Sequence, residues 1–325
     1  MPSSARFCYN RVMLVCLLLS LTLSAAATQH VLIRTTDGLM VEGTATNLHA
    51  IGSARVDRML SIHSAAPASA FEKGRIDEGL VAIQGKDNKA RDLAVEELTA
   101  IGIPVMTPLL QIYKDTDQHE PRPLYRLFER VMPSAADGFD RSLSLIRMKG
   151  ESIRVALPTD GGVEVKSADG KMTTIPWSKI RMLAIRQKSV ARSVRVHSIQ
   201  HSIQIEYLDT GLVTSAESKL DCTANGFVRL SWDADGWASD PNGLTKPGSP
   251  AYKSHLVNGH PFGALIARVG VAKEPIFLGK KATKPALGSG RLGLAINDNG
   301  HWQNNLGAFT VSLTATDAFD VGDAQ

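Results

Sequence analysis

Cysteine is almost absent from the part of this chain that can fold. Three cysteines occur in 325 residues, and two of them, Cys8 and Cys16, sit in an N-terminal segment that reads as a leader. Cys222 then stands alone, which excludes an intramolecular disulfide and a cysteine-built zinc site. The cores must hold by packing, or by packing plus a metal. Charge of one sign is scarce too. The formal net charge is +4, and without Arg6 and Arg11 it falls to +2. That is too little to draw a nucleic acid, and no basic stripe with interleaved aromatics compensates for it.

Catalytic signatures are missing as well. The chain has no Gly-x-Ser-x-Gly, no phosphate loop and no His-Glu-x-x-His. Its nine histidines are scattered. His197 and His201 are four apart, but on alternating, strand-like sequence, where that spacing does not build a helical metal pair. "DADG" (233–236) lacks the further ligands of an EF-hand loop. "DTDQHEPRP" (115–123) crowds Asp115, Asp117, His119 and Glu120 together, yet its prolines mark a solvated connection between helices. Paired carboxylates that meet only in space leave a glycan-active enzyme open as a third reading.

What is present begins with a leader pattern. Arg6 and Arg11 precede the apolar run "VMLVCLLLSLTL" (12–23), and the small residues "SAAA" end at Ala27. This is the order of a secretory signal peptide, with Ala25 and Ala27 where a signal peptidase cuts. The run is short of the ~20 residues that a membrane span needs. Residues 1–27 are therefore expected to be a signal peptide. The mature protein is expected in the periplasm or outside the cell, with no membrane span after cleavage.

The remaining chain is expected to be mainly β with a helical insert. "HVLIRTTDGLMVEGTATNLHAI" reads as two strands about the turn Thr36-Asp37-Gly38 and opens the first half of a small β unit, residues 28–67. A second half, residues 139–193, echoes it. Leu32-Ile33-Arg34 matches Leu145-Ile146-Arg147, and Arg58-Met59-Leu60-Ser61-Ile62 matches Arg181-Met182-Leu183-Ala184-Ile185, a weak repeat whose copies are expected to pair. Between them the period turns helical. Phe71, Ile76, Leu80 and Ile83 form one apolar stripe, and Leu93, Ala94, Leu98 and Ile101 another that stops at Gly102. Leu93, Leu98, Ile101, Leu109 and Leu110 are expected to be buried. Residues 68–138 thus form an insert of three or four short helices, and their Ala-x-x-x-Leu, Gly and Pro-Leu-Leu pattern resembles HEAT-type repeats over about 68–132. The insert either docks a protein or brackets the two β halves. From Val194 onward short alternating strands punctuated by Gly, Pro, Asn and Asp predict an antiparallel sandwich or jelly roll over 194–318, followed by a tail at 319–325.

One stretch does not read as ordinary turn chemistry. "NDNGHWQNNLGAFTV" (297–311) sets a carboxylate among several amides directly before an alternating strand. Such a loop is either a surface hairpin or an oxygen-lined site for a hard cation. With "GWAS" (236–239) and "FGALIARVG" (262–270), it resembles the calcium-dependent galactophilic bacterial lectins (PA-I-like) over about 205–315. Three pieces in family order carry the match: "GWAS", the Gly-Ala-Leu strand, and Asn297-Asp298 with Asn304-Asn305, Gly307 and "AFTVSL".

The resemblance implies a jelly-roll domain that binds one Ca²⁺ and a sugar whose neighbouring hydroxyls complete the coordination shell. By position it implies a carboxylate from Asp298, side-chain oxygens from Asn304 and Asn305, and main-chain oxygens from His301 and Asp240. Calcium takes six to eight oxygens, so amide carbonyls suit it. The loop is one residue shorter than the family's, and Asp240 stands where the family has an aromatic residue. The family's sugar-contacting His and Gln have no secure counterpart. Tyr252, His255, His260 and Trp302 are the sugar-binding candidates. The expected function is noncatalytic, calcium-assisted binding of a carbohydrate or glycoconjugate. The alternative is a structural or protein-docking envelope protein whose sandwich has lost the sugar.

Overall fold

The computed structural model describes residues 28–48, 50–51, 54–55, 59–85, 87–115, 127, 143–149, 151–202, 207–230, 238–244, 257, 259–270, 274–285, 288–298 and 305–322. The protein is mainly β, as its alternation indicates. The expected signal peptide lies outside these residues.

The small β unit is built from strands β1 (Gln29–Thr35), β2 (Met40–Ala45), β3 (Ala50–Ile51), β4 (Ala54–Arg55), β5 (Met59–His63), β6 (Ser144–Met148), β7 (Glu151–Val155), β8 (Gly162–Lys166), β9 (Met172–Pro176) and the long β10 (Ile180–His197). All its pairings are antiparallel, and the central order β2-β1-β10-β5-β6-β7 interleaves the two sequence halves. Each half gives its last strand to the first strand of the other: β1 pairs with β10, and β6 with β5. The order therefore has a pseudo-two-fold between β10 and β5, at the pair Leu183↔Ile62. Ile33↔Leu183 and Ile146↔Ile62 are equivalent under it. The Leu-Ile-Arg echo is thus structural. The Arg-Met-Leu echo is not, because Ile62 is the partner by symmetry of Leu183, two residues away from its match in sequence. Both exchanged pairs share one irregularity. Thr35↔Ile180 is followed by Arg34↔Met182, and Met148↔Met59 by Arg147↔Ser61, so Arg181 and Leu60 are each the extra residue of a β-bulge.

The inward faces of both halves merge into one core that includes Val31, Ile33, Ile62, Ile146, Val163 and Leu183. Burying an aliphatic side chain of this size contributes about 1.5–3 kcal/mol, so neither half holds its fold without the other's strand.

The insert contributes helices α1 (Ala70–Gln84), α2 (Asn88–Ile101) and α3 (Met106–Asp115). Ser69 caps α1 in a reciprocal box: its hydroxyl accepts from Glu72 N–H at 3.1 Å, and Glu72 Oε2 accepts from Ser69 N–H at 2.9 Å. Asp87 caps α2 through the N–H groups of Lys89 and Ala90. Ile76, Leu80, Ile83, Ala94, Leu98, Ile101 and Leu109 meet in the helical core, and Leu110 packs on its edge. Leu93 departs from expectation and is 48% exposed. The buried stripe of α2 runs through Ala94, Val95, Leu98 and Ile101, which leaves Leu93 about 100° off it. Phe71, the first residue of the α1 stripe, is 48% exposed, and its ring covers Gly38 in the β1–β2 turn. Three helices among the described residues are too few to test a HEAT-like stack. The segment "DTDQHEPRP" lies outside them from position 116 onward.

Two buried guanidinium groups fasten the parts. Arg181, the bulged residue, donates Nε and Nη2 to the two oxygens of Glu72 at 2.7 Å each. Its remaining N–H groups reach the carbonyls of Ser64, Ala66 and Pro67. One side chain thereby ties β10 to the start of α1. Arg147 on β6 donates to Asp320 Oδ1 at 2.9 Å, and Arg192 donates to its Oδ2 at 2.6 Å, which ties the β unit to the sandwich. Arg34–Glu97 (2.7 Å) and Arg268–Asp92 (3.2 Å) attach α2 to β1 and to the sandwich.

The sandwich comprises the second half of β10 with β11 (Leu208–Thr214), β12 (Lys219–Arg229), β13 (Ala238–Ser239), β14 (Leu265–Val269), β15 (Ile276–Phe277), β16 (Lys281–Lys284), β17 (Gly290–Ile296) and β18 (Leu306–Asp320). One layer has the order β10-β18-β12-β16, and the other β11-β17-β14-β15. β18 joins them, because its last residues turn to pair with β11. That bend is at Asp317, which takes φ +51°, a left-handed value that Asp tolerates better than most residues. Between the layers lie Val194, Leu220, Cys222, Phe309 and Val311 from one side and Leu212, Leu265, Leu292 and Leu294 from the other. Burial pushes the Cys222 thiol up to about 12, so it packs as an apolar group.

Two expected limits look different in three dimensions. β10 runs unbroken across 193/194, since its first half is buried on both faces and its second alternates over the sandwich core. Residues 319–322 are not a loose tail: Phe319 and Val321 are buried, and Asp320 anchors the two arginines.

Candidate functional site

β17 and β18 belong to different layers, and residues 297–305 connect them. Asn297 and Asp298 continue directly from β17, and Asn305 directly precedes β18. All three are buried, at 0%, 1% and 1% exposure. Polar groups reach that depth only when other groups satisfy them.

The backbone holds Asn297 rigidly. Its N–H donates to Ala264 O at 2.9 Å, and its carbonyl accepts from Gly263 N–H at 2.7 Å. Its side-chain Nδ2 donates to the carbonyls of His260 and Pro261, both at 3.1 Å. Two acceptors on the nitrogen fix the amide orientation, because a flipped amide would set oxygen against two carbonyls. Oδ1 is consequently turned away from them, buried, and without a hydrogen-bond partner.

Asn305 repeats this arrangement. Its Nδ2 donates to Ser198 O at 3.1 Å and to Asp298 Oδ2 at 2.5 Å. Here too the nitrogen faces two acceptors, and Oδ1 is buried with no partner. Ser198 is held in place by hydrogen bonds from its N–H and hydroxyl to Gly307 O. The result is two buried carbonyl oxygens without donors, from Asn297 and Asn305, and a buried carboxylate bonded to Asn305. Leaving a buried acceptor unmet costs about 1–3 kcal/mol. A hard cation or a donating molecule placed among them would remove that cost, and the donor set is the kind that calcium takes.

Asn305 and Asp298 are hydrogen-bonded to each other. Asn297, next to Asp298 in sequence, was not among the expected ligands. Its position, an amide directly after the apolar β17, was the available signal. His301, Asn304, Tyr252, His255 and Trp302 lie outside the described residues.

Asp240 lies in a turn beside the site. Ser239 donates to Gly263 O at 3.3 Å, and Gly263 in turn donates to Asn297. The Asp240 carbonyl already accepts from Gly243 N–H and from Ser239 Oγ, both at 2.9 Å. Serving a metal would require that turn to loosen. Its carboxylate caps Asn242 N–H at 2.8 Å and pairs with Lys280 at 2.8 Å. Burial acts to raise its pKa, but these partners outweigh it and hold the group below the usual carboxylate range. His260 offers its carbonyl to Asn297, while its ring stacks on Phe277 at 5.9 Å and faces Pro275 O at 3.3 Å.

Other candidates are inert. His197 ends β10, and its N–H donates to His201 Nδ1 at 3.0 Å. Among the described residues no three His, Cys, Asp or Glu side chains converge as a metal cluster.

No protein-family model matches the chain, and no curated protein does. Among solved structures, the N-terminal domain of EclA, described as a PllA-like lectin, is similar over 39% of this chain and 96% of that chain, at 20% identity and a TM-score of 0.30.

Proposed function

We propose that this protein is an exported, noncatalytic carbohydrate-binding protein whose sandwich carries a calcium-stabilised loop. One observation carries the reading: Asn297 and Asn305, at the two ends of this stretch, have buried, unpartnered side-chain oxygens, and the buried carboxylate of Asp298 is bonded to Asn305. These three supply side-chain oxygens. Asn304 and the main chain of His301, from the same loop, supply more. The single carboxylate implies a modest affinity, in the ~10⁻⁴–10⁻³ M range of extracellular calcium modules. That range matches a protein delivered outside the cytoplasm by the leader pattern of residues 1–27. A calcium ion held by six or more oxygens retains positions that two neighbouring sugar hydroxyls can fill, and Tyr252, His255, His260 and Trp302 are the proposed sugar contacts.

A glycan array read with calcium and with chelator tests this. Binding to a set of glycans that disappears with chelator is the expected result. Binding that chelator leaves intact would move recognition away from the loop. Absence of glycan binding under both conditions would favour the protein-docking reading, and turnover of a labelled glycan would make the protein an enzyme.

A further inference from the structure

A second site lies far from this loop in kind and composition. Where α1, α2, the β unit and the sandwich meet, a cleft of about 530 Å³ remains open. That volume is in the range of small-molecule pockets, which form preferentially where structural units meet. The apolar residues that the helices give to the wall are mostly small: Ala82 from α1, and Ala90, Ala94 and Ala100 from α2. The facing wall is apolar as well, with Leu32, Met182 and Val213. Leu93 and Met40 also line it while remaining 48% and 51% exposed. The cleft therefore explains why Leu93, apolar and off the buried stripe of α2, is kept half in solvent.

One polar group on the wall is incompletely answered. Arg34 lines the cleft with 12% of its side chain exposed, and its Nη2 donates to Glu97 at 2.7 Å. Its Nε has no hydrogen-bond partner and no accessible surface, so a shift of the side chain is needed before a ligand in the cleft meets it. The comparison with its symmetry equivalent is instructive. Arg147, at the same position in the other half, is shut into the Asp320 anchor, whereas Arg34 faces an open cavity. The charges around Arg34 nearly cancel. Arg75 and Arg291 stand with Glu78, Glu96 and Glu97 on the lining, and Asp209 pairs with Arg291. A charged ligand would therefore disturb a balanced wall. An uncharged one needs only an acceptor for the guanidinium.

We infer that this cleft binds a small, uncharged, largely apolar molecule bearing a carbonyl-type hydrogen-bond acceptor, and that Arg34 is the group that reads the acceptor. The ligand's apolar body fills the space between the alanine wall and Leu32, Met182 and Val213.

Four probes of one shape test this on the full chain, with chelator present to silence the loop: acetophenone, ethylbenzene, benzoate and benzylamine, followed by ligand-observed NMR titration. Acetophenone is expected to bind saturably, and the other three at least tenfold more weakly. Arg34→Lys, which keeps a cation for Glu97, should remove most of the preference of acetophenone over ethylbenzene. Ala90→Trp, which fills the cleft from the opposite wall, should abolish both. Circular dichroism confirms that each variant is folded, and if Arg34→Lys is not, Ala90→Trp still decides whether the cleft is the site. Equal binding of acetophenone and ethylbenzene would overturn the role of Arg34. Tighter binding of benzoate or benzylamine would overturn the uncharged class. No saturable binding, or binding that Ala90→Trp leaves unchanged, would overturn the site itself.

Discussion

Buried polar groups are treated in opposite ways at the two ends of this molecule. At the Arg181 and Arg147 anchors of the small β unit they are answered from within. Arg181 gives its N–H groups to Glu72 and three carbonyls, and Arg147 shares Asp320 with Arg192. At the loop end of the sandwich, Asn297 and Asn305 have their nitrogens answered and their oxygens not. A satisfied network fixes the arrangement of chain segments and asks nothing of the solvent. A set of fixed, unsatisfied acceptors beside a buried carboxylate asks for something from outside. The first region is architecture by this criterion, and the second is the proposed site.

Breaking the answered region should have the largest effect. Glu72→Ala would leave the Arg181 guanidinium buried without its carboxylate and undo the α1 capping box. Removing one partner of a buried pair costs about 3–5 kcal/mol, so denaturant unfolding should show a loss of that size. A change below ~1 kcal/mol would mean that the pair is not buried as described. Leu98→Ala provides an apolar reference. Leu98 is fully buried beneath Gly79, and its truncation should cost about 2–5 kcal/mol. A cost below ~0.5 kcal/mol would contradict the register of α2.

Acid should act on the same region through His63. Its imidazole lies near the β-unit/sandwich junction, with Ser61 Oγ at 3.2 Å from Nε2. Burial, and then the charges of Arg147, Arg291 and Arg154, lower its pKa from 6.5 to about 3, with a Val321 backbone hydrogen bond acting the other way. The unfolded chain therefore takes up a proton near pH 6.5 that the folded chain refuses until about pH 3. Stability contributed by neutral His63 is present above pH 6.5 and declines as pH falls toward 3, by roughly 1.4 kcal/mol per unit at most. Between pH 6.5 and 5, before most carboxylates titrate, a loss of about 2 kcal/mol is expected. His63→Gln should flatten that slope, and an unchanged slope would assign the loss elsewhere.

The smallest stability effect belongs to the unanswered region. With chelator present, Asp298→Asn should change stability by less than about 1 kcal/mol, because an amide of the same shape replaces a carboxylate whose burial is itself costly. With calcium present, the same variant should lose the calcium-dependent gain. A large loss in chelator would mean that Asp298 serves the fold alone.

Much of this contrast can be read in the sequence, and its limits have physical causes. The alternation of β18 and the polar run before it are local patterns, so the strand and its loop were legible. The Leu-Ile-Arg echo was legible because both copies keep the same inward Ile and the same Arg. The Arg-Met-Leu echo misled because a β-bulge at Arg181 and Leu60 fixes the true register, and an extra residue leaves no mark on composition. The β10 strand was read as two pieces because its outer half alternates Arg and Ser with Val, while its inner half is buried on both faces. The burial of Arg147 and Arg181 depends on partners far along the chain, at Asp320 and Glu72. Asn297 resembled an ordinary strand-ending residue. Only the carbonyls of His260 and Pro261, which orient its amide, make it a candidate ligand.

The central claim is most directly tested by calcium itself. Isothermal titration calorimetry and thermal unfolding of the full protein, with the Asp298→Asn variant beside it, would measure whether the loop takes up the ion. If calcium binds the folded loop and not the unfolded chain, an ion concentration ~100-fold above its Kd should stabilise the protein by about 2.7 kcal/mol. The account predicts binding at one site, a stabilisation of that order reversed by chelator, and loss of both in Asp298→Asn. No calcium heat, together with an unfolding temperature indifferent to chelator, would contradict it.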